Sequence, residues 1–259
     1  MTGSIRVTRE GAVATVTLDN VTKRNALTQQ MFITLGTTMD ELGRDPELRC
    51  IVLTGAGEEA FGSGGDIEEY ARLRASKEQS IAFSRDGLRT MHAVRDCPVP
   101  TVAAIRGACV GGAFQIAGFC DLRICAEGSR FGIPLTKLGS TLSYTEFEGM
   151  VRFVGRKTAM EILLEGRLFD AQEAYVKGIV NRVVPRESFE AEVRKTVERI
   201  ATGAPLVARW HKKFSRRLED PAPLSAAEHE EAYECYDTDD YRIGYEAFLN
   251  KRKPEFVGR

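Results

Sequence analysis

The chain has 259 residues, 28% of them charged and 43% hydrophobic, with a formal net charge of -1 at pH 7. That length allows a large core without dictating a domain split, and the balanced charge argues against a nucleic-acid or membrane partner while leaving a small charged metabolite open. Six cysteines (Cys50, Cys97, Cys109, Cys120, Cys125 and Cys235) form no C-x-x-C pair, Met1-Thr-Gly-Ser-Ile-Arg carries no apolar leader, and no segment reaches the ~20 apolar residues of a membrane span. These features lead to the expectation of a cytoplasmic protein with reduced thiols and no metal site.

In chain order, Ile5, Val7, Val13, Thr15, Val16 and Leu18 alternate around Arg9-Glu10-Gly11 as a β-hairpin. Thr28 caps a helix to about residue 42, followed by the strand Cys50-Ile51-Val52-Leu53-Thr54 and a glycine-rich turn, Phe61-Gly62-Ser63-Gly64-Gly65-Asp66. Residues 66–95 read as one long helical stretch, ended by Pro98-Val99-Pro100. The strand Thr101-Val102-Ala103-Ala104-Ile105 leads into a second turn, Gly111-Gly112-Ala113-Phe114-Gln115, that opens a helix, and a strand follows at 121–126. Strand, glycine turn and helix thus occur twice, an α/β pattern of approximate β-β-α repeats. From residue 156 the pattern is helical, at 158–164, 171–177, 186–201, 205–218, 226–236 and 241–251, with one strand at 180–184. The division expected is a core at 1–195 and a helical oligomerisation region at 196–259.

Each glycine turn stands just before a helix. There, backbone N–H groups lack intrahelical partners and the helix dipole favours negative charge, so each turn is a candidate anion site. Neither turn spells G-x-S-x-G or G-x-G-x-x-G, and G-x-x-x-x-G-K-[ST] is absent, which disfavours a hydrolase elbow, a dinucleotide fold and a P-loop.

Four blocks in order give a more specific reading: Lys23-Arg24-Asn25-Ala26-Leu27, Ala60-Phe61-Gly62-Ser63-Gly64-Gly65-Asp66-Ile67, the run from Pro100 through Gly111-Gly112 to Asp121, and Phe131-Gly132-Ile133-Pro134. Together with residues 246–256 they resemble the crotonase (enoyl-CoA hydratase/isomerase) superfamily over nearly the whole chain. The resemblance implies a spiral of β-β-α repeats with a helical C-terminal trimerisation region, a homotrimer or dimer of trimers. It also implies an acyl-CoA substrate with coenzyme A as its only cofactor-like part. By the same resemblance, the N–H groups of Ser63 and Gly112 hold the thioester oxygen, and Lys23, Arg24, Ala26 and the segment Gly64, Gly65, Asp66, Ile67 bind the adenine end. Phe248 and Lys251 of the last helix would assist there, from this chain or a neighbouring copy.

The departure from that family is chemical. Its hydratases carry two glutamates, and the matching positions here are Gln115 and Leu135. Water addition needs a base and an acid, each contributing roughly 10²–10⁴-fold, which an amide and an alkyl chain do not supply. Glu146 and Tyr144, in the stretch after Gly139, are the titratable candidates to replace them, although Glu146 and Glu148 equally suit the first turn of a helix. Decarboxylation or isomerisation through an enolate is therefore favoured over hydration, with an inactive acyl-CoA-binding paralogue as the alternative. His92, His211 and His229 have no clustered partners, and the basic run Arg209-Trp210-His211-Lys212-Lys213 reads as a solvated face or subunit contact.

Overall fold

A computed structural model of the chain describes residues 3–259. Strands β1 (Ser4–Glu10) and β2 (Val13–Asp19) form an antiparallel hairpin, and the period-two pattern of β2 buries Ala14, Val16 and Leu18 completely. Helix α1 (Gln29–Gly43) starts where the Thr28 hydroxyl accepts from the Met31 N–H, and it buries Met31, Phe32, Leu35 and Met39 against the sheet.

Three successive units then repeat one pattern. A strand joins the main sheet, a short strand after a sharp corner joins a second sheet, and helix follows. They are β3 (Cys50–Gly55) and β4 (Ala60–Gly62) with α2 (Ile67–Leu73) and α3 (Lys77–Asp96); β5 (Thr101–Ile105) and β6 (Ala108–Val110) with α4 (Gly112–Phe119); and β7 (Leu122–Ala126) and β8 (Arg130–Gly132) with α5 (Tyr144–Glu165). After them come β9 (Phe169–Asp170), α6 (Ala171–Val176) and β10 (Arg182–Val184). The main sheet runs β1-β2-β3-β5-β7-β10 and the second β4-β6-β8-β9, parallel except at β1/β2 and β8/β9. Stacking the units in this way makes the spiral that the sequence implied, with three turns where only two were legible.

Two helical assignments change. The stretch 66–95 is two helices, because the Ser76 hydroxyl accepts from the Gln79 N–H and starts α3 anew. Helix α5 begins at Tyr144, well before residue 158, and Gly155 with φ 75° and ψ 155° interrupts it, which obscured its periodicity.

The last helices are α7 (Phe189–Ala201), α8 (Pro205–Arg217), α9 (Ala226–Glu231) and α10 (Asp239–Leu249). The border expected at 195/196 falls inside α7, whose Phe189, Val193 and Val197 pack with Val52, Val102 and Ile124 on the outer face of the sheet. Nor does the basic run on α8 only face solvent. Arg209 donates to the carbonyls of Asp45 (3.0 Å) and Leu48 (3.2 Å), while Lys212 Nζ donates to the Val99 carbonyl (3.0 Å) and pairs with Asp121 at 2.6 Å. These long side chains fasten α8 to the ends of core elements.

Lys212 is the strongest of these ties, because its side chain is largely enclosed and its removal leaves the Asp121 carboxylate without a cation. Replacing Lys212 by Met is expected to lower unfolding free energy by about 1–3 kcal/mol, read from the urea midpoint at unchanged slope. An unchanged midpoint would show that the pair contributes nothing.

Candidate active site

The site is built from the loop before α1. Arg24 and Asn25 both adopt left-handed backbone (φ 51° and 55°), which lets the buried Asn25 side chain turn inward. Its Nδ2 donates to the carbonyls of Ala56 (2.9 Å) and Ala60 (2.7 Å), and its Oδ1 accepts from the Asn20 N–H (3.0 Å). Two backbone bonds, Leu27 N–H to the Gly64 carbonyl (2.8 Å) and Asp66 N–H to the Leu27 carbonyl (2.9 Å), stitch the loop to the first glycine turn. Asp66 then caps α2 by accepting from the Glu68 N–H (3.0 Å) and pairs with Lys23 at 2.8 Å. The Lys23 ammonium holds this carboxyl below its ordinary range, and Asp66 together with Glu68 raises Lys23 in return.

The two glycine turns meet. Gly64 has φ +99°, and a Cβ there would lie 3.2 Å from the Val110 carbonyl oxygen and 3.8 Å from the Gly112 nitrogen. Gly111 has φ +57°, and a Cβ on it would lie 3.4 Å from Gly64 Cα. The N–H of Gly112 is the first of α4, so it has no partner inside the helix and carries the positive end of the dipole. At Ser63 the expectation of a free donor needs correction. The left-handed Arg24 brings its carbonyl onto the turn, where it accepts the Ser63 N–H at 3.0 Å, and the Ser63 hydroxyl donates to the Lys23 carbonyl at 3.1 Å. The adjacent N–H groups of Gly64 and Gly65 have no hydrogen-bond partner among the described residues.

A cavity of about 380 Å³ opens between these turns, α2, α3 and the start of α5. Ser63, Gly64, Gly65, Ile67, Gly112, Gln115, Leu135 and Glu146 of the expected residues line it. Gln115 is nearly buried, and its side-chain amide makes no hydrogen bond to a described residue, which leaves it free for a ligand. Among the described residues Glu146 is the one carboxylate on the wall. Its Oε2 accepts from the Ser143 N–H (2.8 Å) and hydroxyl (2.6 Å), the capping-box arrangement, while Oε1 has no hydrogen-bond partner among the described residues.

Tyr144 does not belong to this group. It lies about 200° around α5 from Glu146 and is 95% exposed, away from the cavity. Lys23, Arg24, Ala26 and Asp66 form the outer support rather than the wall: Arg24 faces Glu59 at 3.7 Å, and Ala26 is buried with its carbonyl accepting from Asn20. Phe248, 82% exposed, and Lys251 at the end of α10 do not line the cavity within one chain. A larger cleft of about 980 Å³ beside α8 is lined by the anchoring groups Asp121 and Lys212 and contains neither glycine turn, so size does not mark the site.

Two wall residues escaped sequence reading, Tyr70 on α2 and Arg74 just after it. Tyr70 packs edge-on to Phe83 with centroids 5.0 Å apart, and its hydroxyl lies so close to Gly65 that a Cβ there would fall 1.8 Å from the oxygen. Burial pushes the Tyr70 phenol up, Arg74 opposes this, and the charge of Glu146 adds to it. The spacing of four between Tyr70 and Arg74 places them on one helix face, a signal lost when 66–95 reads as a single surface helix. Burial also pushes the thiols of Cys50, Cys120 and Cys125 up to about 12, which makes them inert as nucleophiles. Among the described residues no group of His, Cys, Asp or Glu is arranged to hold a metal ion, and no helix is long and apolar enough to cross a membrane.

The sequence profile of the family described as Enoyl-CoA hydratase/isomerase matches residues 8–259, and the chain belongs to that family. Its fold matches the crystal structure of an enoyl-CoA hydratase/carnitine racemase from Magnetospirillum magneticum with a TM-score of 0.97 and 44% identity, covering 100% of this chain and 97% of the other. An enoyl-CoA hydratase from Bacillus anthracis matches with a TM-score of 0.92 and 30% identity over 99% and 100% of the two chains. The short-chain-enoyl-CoA hydratase of Clostridium acetobutylicum is 29% identical over 95% of each chain.

If the Gly112 N–H binds an oxyanion, removing the donor with Gly112→Pro is expected to reduce turnover by about 10²–10³-fold. Steady-state kinetics on variant protein with a native-like circular dichroism spectrum checks this, and unchanged turnover would place the anion elsewhere.

Proposed function

We propose that this chain is an acyl-CoA enzyme that forms a thioester enolate at the paired glycine turns and moves protons with Glu146 alone. The observation that carries the reading is the inventory of the cavity wall, where among the described residues Glu146 is the one carboxylate and stands with Gln115 and Leu135, the two residues that the family resemblance matches to the hydratase glutamates. In this reading the thioester oxygen takes the N–H of Gly112, with Ser63 N–H turning from the Arg24 carbonyl toward it or sharing its proton. Preorganised donors of this kind stabilise the charge that develops on oxygen as the α-proton leaves.

A single carboxylate suits isomerisation. Glu146 Oε1 takes the α-proton, the electron pair spreads from the α-carbon onto the thioester oxygen and along the conjugated chain, and the same group returns a proton at the γ-carbon. Gln115 hydrogen-bonds to the acyl group or to Glu146 and stays neutral throughout. Decarboxylation of a malonyl-type thioester is the second reading, favoured by the alkyl side chain of Leu135: CO₂ departs with its bonding electrons left on the α-carbon, so the enolate forms without a base. The adenine end would rest against Lys23, Arg24, Ala26 and the start of α2, with Phe248 and Lys251 supplied by a neighbouring copy in a homotrimer or a dimer of trimers.

The test supplies purified protein with 3-enoyl-, 2-enoyl- and malonyl-type thioesters. Double-bond migration or CO₂ release is expected to exceed hydration of crotonyl-CoA. Glu146→Gln preserves the capping box, since glutamine serves at that position too, so any loss reports chemistry; a fall of about 10²–10⁴ in isomerisation is expected. Efficient crotonyl-CoA hydration would sink the proposal, and tight binding without turnover of any thioester would support the inactive paralogue instead.

A further inference from the structure

Arg74 stands on the cavity wall without an ion-pair partner among the described residues. Its guanidinium carbon lies 4.9 Å from the centroid of Tyr70 and 5.7 Å from that of Phe83, two rings set at 76° to each other, and among the described residues it makes no ion pair. Most other charged groups near the site are already matched: Lys23 with Asp66 and Glu68, Arg24 with Glu59. Lys137, the other cation of the wall among the described residues, is exposed.

We propose that Arg74 receives a free carboxylate at the far end of the acyl chain, so that the preferred substrates are mono-CoA thioesters of dicarboxylic acids. This rests on the acyl-CoA reading above and names the substrate class of that same cavity. Three features support it. The guanidinium fork matches a carboxylate in a bidentate geometry, and contact with two rings restricts the side chain before a ligand arrives, which reduces the ordering cost of binding. The surrounding wall is largely apolar, with Phe83, Met91 and Leu142 among its side chains, so an ion pair there is screened less than at an open surface. The Tyr70 hydroxyl rests against Gly65 in the anion turn, and the Arg74 guanidinium carbon lies 4.9 Å from the centre of the Tyr70 ring, so the Tyr70 side chain sets the cation off from the turn. The cation therefore suits a terminal carboxylate several bonds from the thioester. A carboxylate on the α-carbon would lie nearer the glycine turns.

The test is a binding series on the full chain, comparing succinyl-, glutaryl- and adipyl-CoA with butyryl-, valeryl- and hexanoyl-CoA by calorimetry in low-salt buffer. At least one pair of equal length is expected to favour the carboxylate by about 10-fold or more, the scale of a charge-assisted hydrogen bond in a sheltered site. Arg74→Gln is expected to bring that ratio close to one, and Arg74→Lys to leave it intermediate. No preference in any wild-type pair, or a preference that survives in Arg74→Gln, overturns the proposal. An equal loss of affinity for both members of a pair places Arg74 on the phosphates of coenzyme A and also overturns it. Binding of none of the six thioesters would instead contradict the acyl-CoA reading itself.

Discussion

Gly64 packs closely against Gly111 and Gly112 with both turns in positive-φ backbone, and the rest of the site is arranged around that contact. Carrying two backbone segments to within van der Waals distance needs φ values of +99° and +57°, which residues with a Cβ rarely adopt. The surroundings hold these conformations in place. The buried Asn25 amide ties the preceding loop to the corner between β3 and β4, and Asp66 closes the first turn by capping α2. The start of α4 aims the Gly112 N–H from the other side. The fold supplies this geometry by repetition, since the first two units each end a short strand just before a helix N-terminus.

Electrostatics divide the site into two parts. Outside the cavity, opposite charges are paired at close range, as in Lys23 with Asp66, and their role is to hold the first turn. Inside it, charge is sparse among the described residues: Glu146, Arg74 and the exposed Lys137, with the uncharged Gln115 near the end of the anion turn. Among the described residues Glu146 and Arg74 make no salt bridge with each other, which leaves both available to a ligand. The double engagement of Glu146 is informative in this respect. One oxygen is spent on the helix cap, which fixes the side chain, and the other remains available toward the cavity.

Much of this was legible in the residues. The hairpin, the strands of the main sheet and α1 followed from alternation and capping, and the two glycine turns stood out because strand, glycines and helix occur in immediate succession. The short strands β4, β6 and β8 were harder, since three residues are too few to show a period. Helix α5 was hidden by Gly155, and the break between α2 and α3 by a single serine cap. At the site, the family resemblance pointed to Gln115 and Leu135 and residue type to Glu146 and Tyr144, but the start of α5 was not legible in the sequence, so the orientation that separates Glu146 from Tyr144 was not either. Tyr70 and Arg74 carried no motif; they became visible through the ring of Phe83 on the next helix, against which both are placed. The basic run on α8 likewise depended on partners far along the chain, Val99 and Asp121.

The central claim, that the glycine pair polarises a thioester oxygen, is open to direct observation. A non-reactive acyl-CoA labelled with ¹³C at the thioester carbonyl can be bound to the protein and its carbonyl stretch followed by difference Raman spectroscopy. Strong donation from the backbone predicts a clear shift to lower frequency on binding, relative to the same thioester in water. A thioester that binds tightly with its carbonyl frequency unchanged would contradict the account, because the turns would then hold the ligand without acting on the bond that the chemistry requires.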